Sequence, residues 1–108
     1  MKHKTKVMVQ MYNTRKKDWM GYTIDRCNKL TIHHIFKQVY GGLNEFSNYA
    51  LLVEKSHNYL HVLEVKDHEI YLELNKLFKE LNESLEEPDD YYYEKVEKVL
   101  KKARVRKP

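Results

Sequence analysis

Apolar residues along this chain recur first at strand-like and later at helix-like spacing, and the change predicts a mixed α+β domain. Positions 6–12 (K-V-M-V-Q-M-Y) alternate near period two and predict a short strand. Positions 21–24 and 29–36 are also strand-like, with 25–28 as the turn between them. Gly41-Gly42-Leu43-Asn44 marks a loop that needs permissive backbone, and 49–53 (Y-A-L-L-V) reads as a buried strand. Ser56 is placed to cap a helix running from His57 to about Val65, with Leu60 and Leu63 turned inward. Asp67 is a second capping candidate, followed by Glu69 in the first turn. Ile70, Leu74, Leu77 and Leu81, with Phe78 beside them, then form one apolar stripe over a helix spanning about 68–85. Glu86-Glu87-Pro88 stops that helix. Asp89 and Asp90 open a last one, in which Tyr92, Val96, Val99, Leu100 and Ala103 share a face. The two C-terminal helices are expected to form a hairpin, packed on the β-core or on a second subunit.

At 108 residues the chain has the length of one domain with one modest core. No apolar run approaches the ~20 residues of a membrane span. Val7-Met8-Val9 is interrupted by Gln10 and Asn13 and closed by Arg15-Lys16-Lys17, too soon for a secretory leader. A soluble, cytoplasmic protein is therefore expected. Cys27 is the only cysteine, which excludes an intrachain disulfide and a Cys-x-x-Cys zinc ribbon; it is expected to be a buried, inert thiol. Any metal ligands must come from His, Asp, Glu or Asn.

The net charge of +4 hides a strong segregation. Residues 1–40 carry nine Lys/Arg against two Asp, residues 41–94 four Lys against thirteen Asp/Glu, and residues 95–108 seven Lys/Arg against Glu97. Two basic ends around an acidic middle could clamp a polyanion, or could simply solvate the chain and complement the acidic helices.

Four of the six histidines fall in two groups. His57 and His61 stand i, i+4 on the predicted helix, so they share a face, either as a metal site or as surface or packed imidazoles. Asn58 follows His57 where a zinc protease would need Glu, which excludes that chemistry. His33 and His34 are neighbours on a predicted strand, so their rings face opposite sides. That suits either two separate roles or one core and one exposed histidine.

The joint order, Leu30-Thr31-Ile32-His33-His34-Ile35, Gly41-Gly42, Asn48-Tyr49-Ala50-Leu51-Leu52 and His57-x3-His61, resembles the HNH endonuclease motif, also called the ββα-metal or His-Me finger. The resemblance covers about residues 30–61. It implies a small ββα-metal core over 30–63; by charge and periodicity a basic arm and short strands (1–29) precede that core, and two helices (67–103) and a basic tail (104–108) follow it. It further implies His33, His57 and His61 as ligands of one divalent ion (Mg, Mn, Zn or Ni). His34 would be the general base, and Asn48 would hold His34 through a hydrogen bond from its side chain or backbone. Many members carry Cys-x-x-Cys pairs and an Arg over the scissile phosphate; the pairs are missing here, and Arg26 is the candidate for the Arg. DNA is the implied partner, gripped by the arm (Lys2, Lys4, Lys6, Arg15, Lys16, Lys17) and the tail (Lys101, Lys102, Arg104, Arg106, Lys107). No base-reading helix is evident. The rival class is a binding or regulatory protein that keeps the fold and inhibits or recruits a partner, suggested by the small size, the acidic helices and Tyr91-Tyr92-Tyr93; in either class a protein partner or a homodimer could form through the C-terminal helices. The intact His34 favours the nuclease.

Overall fold

The structure, a computed structural model, describes residues 2–106; Lys107, assigned to the basic tail, lies outside them. The first element is a helix, α1 (His3–Tyr12), where the alternation at 6–12 predicts a strand. Both periods are written into that segment. The helical one wins because Thr5, Met8, Val9 and Tyr12, at i, i+3, i+4 and i+7, give a single buried face. Tyr12 seals the contact, with its ring edge-on to Trp19 at 5.0 Å and its hydroxyl donating to Asn82 O.

Residues 21–24 form no strand either. Only isolated bridges, Lys17 with Thr23 and Asp25 with Asn28, stand where strand and turn are expected. Asp18 organises this segment. Its fully buried carboxylate accepts from the backbone N–H of Met20 and Tyr22 through Oδ1, folding 18–22 into a turn.

Two strands, β1 (Leu30–His34) and β2 (Tyr49–Val53), pair antiparallel with Leu30 opposite Val53 and His34 opposite Tyr49. Every residue of β2 is buried. The strand is covered on both faces, which explains its unbroken apolar run. Helix α2 (Glu54–Lys66) follows without a loop. Ser56 is not its N-cap: it lies within the first turn, where its hydroxyl donates to Asp18 Oδ2 and sits 3.2 Å from Val53 O. The helix start is satisfied from a distance, since Asp18 Oδ2 also accepts from Val53 N at 2.9 Å.

Helix α3 (His68–Ser84) carries the expected stripe, but two buried asparagines, Asn75 and Asn82, lie within it. Asn82 donates to Phe46 O and Tyr49 O and so ties α3 to the start of β2. Asp67 does not cap α3 through its side chain, which instead accepts from Arg104 N. Helix α4 (Asp90–Lys101) is capped by Asp89, which accepts from Tyr92 N at 2.8 Å. Both C-terminal helices pack within the chain, α3 on α2 and β2, α4 on α3, and Tyr92 donates to Trp19 O.

The described residues form a small compact α+β domain with four α-helices and a two-strand antiparallel sheet. Its radius of gyration of 12.8 Å matches the ~13 Å of a 100-residue domain. Cys27 is exposed in the 25–28 turn rather than buried, because that turn hangs outside the core. Among the described residues no helix is long and apolar enough to cross a membrane.

Candidate functional site

Alternation along β1 sends His33 and His34 to opposite faces of the hairpin. His33, opposite the small Ala50, is buried beneath α2 and α3. Its Nε2 lies 2.8 Å from Asn75 Oδ1, and its ring is edge-on to His57 at 5.3 Å and to Phe78 at 5.9 Å. An amide oxygen only accepts, so Nε2 carries the proton and Nδ1 the lone pair.

His57 is half-buried, and its Nδ1 lies 3.0 Å from Thr31 Oγ1. Thr31 spends its one hydrogen on Leu52 O at 2.7 Å and therefore accepts from His57 Nδ1–H, leaving the lone pair on Nε2. Thr31 stands two residues before His33 and so shares its face. His61 is exposed; its ring stacks on His57 at 4.8 Å and its Nδ1 lies 3.6 Å from Glu64. Burial pushes the Glu64 carboxyl up, but Lys37 and then His61 outweigh it and hold the group below its ordinary value.

Burial lowers the pKa of both His33 and His57 to about 4. The bond to Asn75 works against the shift at His33, and the nearby imidazoles reinforce it at both. Both rings are neutral at pH 7, the form a metal ion requires. The donor set thus suits a divalent ion of nitrogen preference. The rings pack on one another rather than pointing at a common centre, and among the described residues no three His, Cys, Asp or Glu side chains converge closely enough to hold one ion as they stand.

On the other face, His34 Nε2 lies 3.2 Å from Asn44 Oδ1, and its ring meets Tyr49 edge-on at 5.2 Å. Asn48 does not touch His34. Its side chain accepts from Phe36 N at 2.8 Å and donates to Phe36 O and Leu43 O, and its carbonyl accepts from Ile35 N. The physical reason is position: Asn48 is buried at the base of the 36–48 loop, so it closes that loop, and Asn44 within the loop reaches the imidazole.

The described basic residues stand in different local settings. Lys4 donates to Tyr49 Oη at 3.1 Å on the His34 face. Lys17, Lys101 and Arg106 line a cavity of about 720 Å³ floored by Met20, Val96 and Leu100. Tyr59 lines it too, ~200° around α2 from His57, so the cavity and the histidines lie on opposite sides of that helix. Lys102 is paired with Glu73 at 2.8 Å, and Arg15 donates to Asn13. Lys2, Lys6, Lys16 and Arg104 are exposed. Arg26 sits in the 25–28 turn before β1, at the opposite end of that strand from His34, and is not brought over the histidines.

Thr31, Asn44, Tyr49 and Asn75 were not singled out by the sequence as site residues. Only Thr31 had a signal there, its two-residue offset from His33. Comparison of the chain with protein-family models, with curated proteins and with solved structures returns no match.

Proposed function

We propose that this chain is a metal-dependent endonuclease of the HNH type that hydrolyses or nicks DNA, on a ββα-metal core formed by β1, β2 and α2. The observation that carries this reading is the division of the two adjacent histidines. His33 lies in one cluster with His57 and His61, while His34, near enough to disfavour a charge on His57, turns its Nε2 to Asn44 outside that cluster. His33, His57 and His61 would hold the ion, two of them neutral by burial and with tautomers set by Asn75 and Thr31. A divalent ion bound there supplies Lewis-acid stabilisation of the charge that develops on the phosphate. Binding requires His57 and His61 to leave their mutual stack, a turn open to a half-buried and an exposed ring but closed to buried His33.

His34 acts as general base, taking a proton from the attacking water at the nitrogen not committed to Asn44. Lys4, on the same face, brings a cation to the substrate phosphate.

Supercoiled-plasmid nicking with Mg²⁺, Mn²⁺, Ni²⁺ and Zn²⁺ tests the proposal, with metal calorimetry alongside. The parent should nick. His34→Ala should bind metal normally and lose ~10²–10⁴ of the rate. His61→Ala should bind metal weakly and recover with excess metal. A parent that binds metal and DNA without cutting would transfer the assignment to the binding-protein class. Equal nicking by parent and both variants would show that the activity lies outside these residues.

A further inference from the structure

On the His34 face, four side chains from four segments form one hydrogen-bonded array. His34 comes from β1, Asn44 from the loop, Tyr49 from β2 and Lys4 from α1. Asn44 Oδ1 accepts from both His34 Nε2 and Tyr49 Oη, and Tyr49 Oη accepts in turn from Lys4 Nζ. We propose that Asn44 is the positioning residue of His34, and that Tyr49 and Lys4 anchor Asn44 in place. This inference rests on the nuclease reading and names residues that the HNH resemblance did not.

The carbonyl oxygen of an amide has two lone pairs and no proton. Its contact with Nε2 is favourable only when Nε2 carries hydrogen, so Nδ1 is left as the basic nitrogen. Tyr49 uses its single hydroxyl hydrogen on Asn44, which leaves its oxygen lone pairs for Lys4. Tyr49 is almost fully buried and cannot swing away, and its ring also limits rotation of the imidazole. The array therefore determines both the tautomer and the direction of His34, while Lys4 puts a positive charge beside the base.

The loop that carries Asn44 is itself held rigid. Asn48 bonds to Phe36 at one end of it and to Leu43, next to Asn44, at the other. Gly42 is required in the same place, because a Cβ there would lie 1.9 Å from Phe36 O. Asn48 thus acts on His34 one step removed, by placing Asn44.

The experiment compares the parent with Asn44→Leu and Asn44→Asp, the second of which keeps the acceptor oxygen. Long-range ¹⁵N–¹H spectra of metal-free protein read the His34 tautomer, calorimetry reads metal affinity, and single-turnover nicking reads the rate. The parent should show His34 as a single Nε2–H tautomer. Asn44→Leu should show mixed tautomers and lose ~10–100-fold in rate at unchanged metal affinity. Asn44→Asp should keep one tautomer and lie closer to the parent in rate. An Nδ1–H tautomer in the parent would overturn the inference whatever the activity. So would an Asn44→Leu variant as fast as an active parent, and in that case the nuclease reading would stand. A parent inactive with every metal would remove the nuclease reading, and the positioning role with it.

Discussion

His33 concentrates at one residue most of what burial does to this site. Its imidazole keeps its proton off down to about pH 4, whereas an unfolded chain protonates it near 6.5. Between those values the unfolded state binds the extra proton. The contribution is therefore fully present above pH 6.5 and is lost as pH falls toward 4, by about 3 kcal/mol for a shift of this size. His57 works in the same direction, discounted for its solvent exposure. Urea unfolding of metal-free protein across pH 4–7 should show stability rising with pH. His33→Gln should flatten that rise by close to one proton. A slope unchanged in His33→Gln would mean that the imidazole is not held neutral by its burial. Asn75 belongs to the same balance, since it is the partner that makes the buried ring affordable as a neutral donor.

Between elements, the junction of β2 and α2 depends on a residue from neither. Asp18 reaches from the 18–22 turn to Val53 N and Ser56 Oγ while also holding Met20 N and Tyr22 N. Burial raises its pKa, and the four bonds pull it back only in part. Asp18→Ala should be among the most destabilising single changes outside the apolar core. It leaves buried donors unpaired at ~1–3 kcal/mol each before relaxation. Because α2 carries His57 and His61, the variant should also weaken metal binding, although Asp18 touches neither histidine. Thermal melting and metal calorimetry on Asp18→Ala check both effects. A melting temperature within a degree or two of the parent would show that water replaces the carboxylate at little cost.

Across the whole molecule, charge is sorted by where the fold places it rather than by the order of the chain. Lys17 and Arg106, 89 positions apart in sequence, line one cavity, whereas Lys102 is already paired with Glu73. Each cation that contacts a DNA phosphate should contribute ~0.9 to the slope of log affinity against log salt. Lys17→Ala and Arg106→Ala should each flatten the slope, and Lys102→Ala should leave it nearly unchanged. Anisotropy titrations of a labelled duplex over a salt series measure this directly. A larger change for Lys102→Ala than for Lys17→Ala would remove the cavity from the proposed DNA contact.

What could be read before folding was whatever depends on neighbours in the chain. The stripe of α3 and the run of β2 were legible as spacing, and the opposite facings of His33 and His34 followed from strand alternation alone. Gly42 was legible as a backbone requirement, though not the Phe36 carbonyl that imposes it. The helical state of 3–12 was not, because two periods coexist there and only contact with Trp19 and Asn82 selects one. Nor were the partners of the histidines. Asn44, Tyr49 and Asn75 resemble ordinary loop, strand and helix residues until the chain closes on itself. Hydrogen bonds such as His33 to Asn75 join positions 42 apart, and Asp18 reaches Ser56 across 38. Periodicity reports only which face a side chain occupies, whereas the group it meets there depends on how the faces dock, and only the tertiary structure decides that.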